Sequence, residues 1–346
     1  MKFLPDKISF FSLAIFLLIN YGCSVTEQPQ LPSQNNFQNV LSKIRLVTSS
    51  IVGVNATFTY EVETYRYIFL DGKPIRSFTS PTGYRLLPGD SGIVQTEFEH
   101  STQGCGTIIM IDKNTGLILT SYHILTSKDT LTGYYQDEHG RNSNLISYRA
   151  VKKKTKYFII DQQNNLKNAA VLYANEQSDL GLLITNTSAA LGSEFPFSFD
   201  YEQLPDWGEP VYVFGYPQSI KQLTTAIVSP LTYQGYFSLD AVSRIGFSGG
   251  PVIAVTPDAG LSLIGIVRSI PATKIRYISP PTDIPLGVHL IPEDLPRSTI
   301  QENDIIDNRA AYAVNMKRIG IFLQECIPIL QKHQIVLPQR IVPSEK

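Results

Sequence analysis

The sequence predicts an all-β fold closed by one C-terminal helix, and two observations carry that expectation. Short apolar runs recur along the chain, each bounded by Gly, Pro, Asn or Asp. A single convincing segment has helical periodicity: Met316, Ile319, Leu323, Ile327 and Leu330 fall on one face behind Asn315, which suits an N-cap. Pro328 should kink or end that helix. Strands do not alternate with helices, which argues against an α/β fold. At 346 residues, 43% hydrophobic and 17% charged, the chain can bury a sizeable core in two compact lobes.

A formal net charge of −1 leaves no electrostatic footprint for nucleic acid. The one basic run, Lys152-Lys153-Lys154, reads as a solvated loop. No His or Cys spacing resembles a metal site, and no Gly-rich loop is built to cradle phosphate, so neither metal nor cofactor is expected. At the N-terminus, Lys2 and Lys7 precede an apolar run from Ile8 to Ile19, too short to span a bilayer but suited to an export signal. Gly22-Cys23 at its end resembles the lipobox of bacterial lipoproteins. That implies cleavage before Cys23, a lipid on its sulfur and membrane attachment, in the periplasm or at the cell surface. Asn20 departs from the usual Leu, and without the lipid the segment reads as a secretory signal. Residues 1–22 are then the signal, and residues 23–40 an anchored Cys with a flexible, Gln-, Asn- and Pro-rich tether. Cys105 and Cys326 remain, and both a disulfide and two buried thiols stay open.

Along the chain, a strand from Ser49 to Val54 opens the fold. The stretch up to Thr102 interleaves Tyr and Phe with polar residues, as strands and loops do. Gly104-Cys105-Gly106 feeds a buried strand ending at Ile111, Asp112 to Gly116 is a turn, and Leu117 to Ser121 is the strand that delivers His123. Thr126 to Thr155 reads as a polar loop. Strands follow at Tyr157 to Ile160 and Ala169 to Tyr173, and Asp179 stands just before the apolar run Leu180 to Ile184. Ser188 to Gly208, with Trp207, connects the lobes. Val211 to Phe214 and Thr224 to Ser229 begin a second set of strands, continued by Val252 to Val255 and Leu261 to Val267. Pro271 to Asn308 reads as an irregular surface excursion.

Ser248 stands in Gly246-Phe247-Ser248-Gly249-Gly250-Pro251. A serine hydroxyl is a poor nucleophile unless a base takes its proton and donors stabilise the oxyanion. Flanking glycines let backbone N–H groups turn toward a carbonyl. Singly, each part is weak. Gly-Gly-Pro is ordinary turn chemistry, a His among apolar residues usually packs in a core, and an Asp before a strand is usually a turn residue. Together, His123, Asp179 and Ser248 follow the chymotrypsin chain order, not that of subtilisin or the α/β-hydrolases. Pro251 opens a strand where a nucleophile elbow needs a helix, so an α/β-hydrolase-type esterase is disfavoured.

Several blocks in order resemble the trypsin-like serine proteases, specifically their HtrA (DegP-type) branch. Gly104-Cys105-Gly106 resembles that branch's Gly-Ser-Gly, Thr120-Ser121-Tyr122-His123-Ile124 its Thr-Asn-x-His-Val, and Asp179-Leu180-Gly181-Leu182-Leu183 its Asp-Leu-Ala-Leu-Leu. Gly215-Tyr216-Pro217, Asp240-Ala241 before the serine loop, and Tyr312-Ala313-Val314 before the helix continue the likeness. The resemblance implies two antiparallel six-stranded β-barrels with a C-terminal helix, the first over about residues 41–190 and the second over about 205–314, with the helix at 315–330 and a tail at 331–346. It implies a serine endopeptidase acting on protein or peptide substrates. Ser248 would attack the scissile carbonyl, His123 would carry the proton, and Asp179 would orient the imidazole. The N–H groups of Gly246 and Ser248 would form the oxyanion hole. Val242, Ser243, Arg244, Ile245, Ile266, Val267 and Arg268 would line a mostly apolar pocket, with Arg268 narrowing it. Homo-oligomers occur on this scaffold, and the sequence leaves that state open.

The departures bear on function. Phe247 replaces the polar residue usual before the nucleophile, so a pancreatic-type zymogen switch is not expected, and Ile51-Val52-Gly53 is a decoy for its new N-terminus. Phe247 also raises the prospect of a disturbed oxyanion loop. No PDZ domain is expected after the helix. Three insertions, Asn55 to Thr102, Thr126 to Thr155 and Pro271 to Asn308, have no readable role. Phe247 and these insertions motivate a second reading: a protease-fold binding or adhesion lipoprotein with little turnover. Asp161 is the nearest rival to Asp179, but no Leu-Gly-Leu-Leu strand follows it.

Overall fold

The computed structural model describes residues 34–136, 142–187, 190–197, 199–202, 204–230, 235–240, 245–256, 260–269, 272–279, 299–306 and 310–342. In chain order come α1 (Gln34–Thr48), β1 (Ile51–Tyr65), the short pair β2 (Phe69–Leu70) and β3 (Lys73–Pro74), β4 (Ile93–Ile111), β5 (Thr115–Ser121) and the single turn α2 (Tyr122–Leu125). Then follow β6 (Thr130–Gln136), β7 (Asn142–Ile160), β8 (Leu166–Asn175) and β9 (Leu180–Asn186). The second half holds β10 (Pro210–Gly215), β11 (Gln222–Pro230), β12 (Tyr236–Asp240), β13 (Pro251–Val255), β14 (Leu261–Ser269), β15 (Ala272–Ser279), β16 (Thr299–Ile306), β17 (Ala310–Asn315) and α3 (Met316–Lys332).

Two closed antiparallel barrels result, as the sequence predicts. In the first, β1, β4, β5, β9, β8 and β7 form a ring shut by β1 pairing with β7, and β6 adds to β7 from outside. In the second, β10, β11, β12, β17, β14 and β13 close on themselves. Closure leaves neither ring a free edge. Alternation drives the packing: Val54, Ala56, Phe58 and Tyr60 of β1 point inward and are buried, while the residues between them are partly exposed. One large buried cluster joins the lobes and includes Cys105, Leu119, Phe214, Ile266 and Leu323.

Three expectations are corrected here, while the first insertion holds strands as expected. The polar stretch 126–155 is not a loop but the β6–β7 hairpin, whose β7 runs 19 residues. Its basic run sits in a strand: Lys153 pairs with Glu61 across the sheet at 2.7 Å, and Lys152 reaches Asp129 at 2.7 Å. The two ends of the first insertion extend β1 and β4 in register out to Tyr65↔Ile93, while β7 pairs the far side of β1 as far as Thr64↔Tyr148. This ribbon overshoots the barrel and ends in an aromatic cluster of Tyr65, Tyr67 and Leu145 packed by Tyr84 and Tyr135. The third insertion contains the β15–β16 pair, and its residues 280–298 lie outside the described ones.

At the termini, the tether reading stops short. α1 begins at Gln34, and Val40, Ile44 and Val47 are buried in the large cluster at helical spacing. The tail also packs back, since Ile335, Leu337 and Ile341 join that cluster. α3 is capped as expected, the Asn315 side chain accepting from the Arg318 N–H, but it continues through Pro328 to Lys332. Losing one N–H near a helix end costs little when Ile319, Phe322, Leu323, Cys326 and Leu330 are buried along its face. Cys105 and Cys326 are free, buried thiols, and burial pushes each up to about 12.

Candidate active site

The first barrel supplies the base and the acid. β5 ends at Ser121, and α2 lifts His123 out of it with its side chain 44% exposed. Asp179 sits on the turn before β9 at φ 55°, a left-handed conformation that Asp tolerates better than most residues. Its carbonyl accepts from the Tyr122 N–H at 3.1 Å, and its Oδ1 accepts from the His123 N–H at 3.0 Å. Two backbone bonds therefore lock the acid to the base's own turn. The carboxylate then meets His123 Nδ1 at 3.1 and 3.0 Å. With Nδ1–H donating to a carboxylate, the Nε2 lone pair is left for a proton. Asp179 is 5% exposed, so water competes little for this contact.

Asp161 has a different task. It is fully buried in the β7–β8 turn, where its Oδ1 accepts from the Gln163 and Asn165 N–H groups, each at 2.9 Å. It is a turn cap and makes no bond to His123.

The second barrel supplies the serine loop, and its glycines are required by close packing. A Cβ on Gly249 would lie 2.1 Å from the Cys105 carbonyl oxygen and 3.0 Å from the Ser121 nitrogen, two residues before His123. A Cβ on Gly250 would lie 1.8 Å from the Phe214 carbonyl oxygen. The Ser248 carbonyl accepts from the Cys105 N–H at 2.7 Å, and the Ser121 hydroxyl donates to the Val267 carbonyl at 2.9 Å. These contacts bolt the loop to the end of β5. Ser248 Oγ makes no hydrogen bond to His123 among the described residues, and such bonds often tighten only with substrate bound.

Gly246 has φ 110°, and its carbonyl accepts from the Tyr216 N–H at 2.8 Å. Neither the Gly246 nor the Ser248 N–H donates to a described residue. Phe247 between them is 3% exposed, packed in the second barrel's core against Gly215, where a Cβ would lie 2.5 Å from its ring. The buried ring anchors the loop through its packing in that core.

The remaining site residues divide. Val242, Ser243 and Arg244 lie outside the described residues, as does Cys23. Ile245 is exposed. Ile266 and Val267 are buried in the two cores, so they offer backbone rather than an accessible apolar wall. Arg268 reaches the acid: its Nε lies 3.4 Å from Asp179 Oδ2. Sequence reading missed this contact, and nothing in the spacing of the two residues signals it.

A His–Asp pair on one closed barrel, facing a glycine-walled Ser loop on the other, is the layout of a chymotrypsin-type serine peptidase. Residues 105–266, which include His123, Asp179 and Ser248, match the family model of the trypsin-like peptidase domain. Over that stretch, just under half its length, the chain is similar to the trypsin-like peptidase domain. Among solved structures it is similar to an HtrA-type protease AlgW with decapeptide, at 14% identity and a TM-score of 0.45, covering 84% of this chain and 67% of that one. No curated protein matches the chain significantly.

Proposed function

We propose that this protein is an exported serine endopeptidase that cleaves unfolded or exposed protein segments through an acyl-enzyme. Ser248 attacks the carbonyl as His123 takes its proton, and the imidazolium that forms is held by Asp179. The tetrahedral oxyanion takes the N–H groups of Gly246 and Ser248, each donor contributing about 3 kcal/mol to the barrier reduction. His123 then protonates the leaving amine, and water repeats the cycle on the ester. The observation that carries this reading is the bidentate approach of Asp179 to His123 Nδ1, which prepares Nε2 as a base. The buried seat of Phe247 removes the chief motive for an inactive binding protein. Export and a lipid on Cys23 rest on the N-terminal sequence alone.

A fluorophosphonate probe tests the chemistry. Mass spectrometry should find the adduct on the peptide bearing Ser248, and His123→Ala should abolish it. A folded native chain that never labels would contradict the proposal.

A further inference from the structure

Arg268 occupies a break in the sheet. Val267 pairs with Ala313 and Ser269 with Tyr312, so Arg268 is the extra residue of a β-bulge in β14. Bulges re-aim side chains. This one sends the guanidinium across the cleft to Asp179 Oδ2, the oxygen that also meets His123 Nδ1 at 3.0 Å. The guanidinium is braced from behind: its carbon lies 4.8 Å from the centroid of the Tyr236 ring, and that of Arg318 lies 4.6 Å from the same ring. The Tyr236 hydroxyl and Arg318 both donate to the Gln177 carbonyl at 2.8 Å, two residues before Asp179. An Arg–Tyr–Arg stack from β14, β12 and α3 thus grips the acid's turn.

We propose that Arg268 is a positioning residue of the triad, holding the Asp179 carboxylate against His123 from the opposite barrel. The role deepens the peptidase reading and rests on it. A buried carboxylate needs compensation that hydrogen-bond donors alone do not fully supply. A permanent cation at 3.4 Å does. The same cation opposes a second positive charge on the imidazole. Among the described residues, the other charged groups around this turn are Arg318 on α3, the exposed Glu176 beside it, and Glu325, which is engaged with Tyr173 and Asn175.

The test follows the His123 ring by NMR titration in the full chain, assigned against His123→Gln, alongside probe reaction rates from pH 5 to 9. Arg268→Met should move the ring's midpoint up by about half a pH unit or more and slow the probe chiefly at the acid end. Arg268→Lys should restore most of the midpoint. Tyr236→Leu, which removes the brace and leaves the charge, should give a smaller upward shift and carries the test if Arg268→Met does not fold. An unchanged midpoint in folded Arg268→Met overturns the inference. Failure of the native chain to react with the probe would instead sink the peptidase reading, while the ring titration still decides whether Arg268 tunes His123.

Discussion

The two sides of the cleft are held in different ways. On the first barrel, the base and acid are fixed by polar contacts: two backbone bonds and a bidentate approach between His123 and Asp179. On the second, the Ser248 loop is fixed by backbone packed so closely that Gly249 and Gly250 have no room for a Cβ. Polar contacts can be exchanged for weaker ones and leave a graded loss. Overlap with a carbonyl cannot be relieved without moving a strand. The base side should therefore be tunable and the nucleophile side brittle.

The largest break is expected at Gly249→Ala. A side chain at φ 80° and 2.1 Å from the Cys105 oxygen forces the loop off β5. Probe labelling should vanish, and urea unfolding should show a loss of about 3 kcal/mol or more. Asp179→Asn should be cleaner: kcat falls roughly 10⁴-fold because the imidazole loses its preferred tautomer, while stability changes little. Equal damage from both substitutions, in rate and in stability, would erase the contrast between the two sides.

Asp161→Ala sharpens the comparison from outside the site. Leaving the Gln163 and Asn165 N–H groups unpaired should cost about 1–2 kcal/mol in urea unfolding and leave kcat/KM within about twofold. A collapse of kcat with unaltered stability would move the triad's acid from Asp179 to Asp161.

The smallest effect lies at the junction of the lobes. Burial pulls the Lys221 ammonium down from 10.5 to about 8, where it donates to the Thr48 carbonyl and the Gln162 side chain. Between those values the unfolded chain keeps a proton that the folded chain has shed, so stability rises with pH through that window. Below pH 8 both states hold the proton and the full penalty remains. The Cys105 and Cys326 thiols act in the opposite sense from about pH 8 upward, because burial keeps each protonated up to about 12 in the folded state only. From pH 8 to 9 Lys221 should add roughly 1 kcal/mol, partly offset by the two thiols, and Lys221→Met should turn the small net rise into a fall.

How much of this was legible in the sequence follows from where the information lies. His123 and Ser248 could be read because each is bracketed by its own local signals, a strand ending in Thr-Ser and a run of glycines. The α3 cap at Asn315 was legible for the same reason. The β6–β7 hairpin was not, because its residues carry Lys, Thr and Tyr in place of a buried apolar face, and their strand conformation comes from pairing with β1, far away in the chain. α1 was obscured by its polar start, although Val40, Ile44 and Val47 carry the spacing. The Arg268–Asp179 contact was illegible in principle, since it depends on a bulge whose existence only the register of β14 with β17 reveals.

The most direct measurement is digestion of unfolded casein by the full chain beside its Ser248→Ala counterpart, with fragments read by mass spectrometry. The account predicts cuts only with Ser248 present, at a rate that falls roughly 10⁶-fold on its removal. Identical fragments from both proteins, or none from a folded chain whose Ser248 does not label, would contradict it.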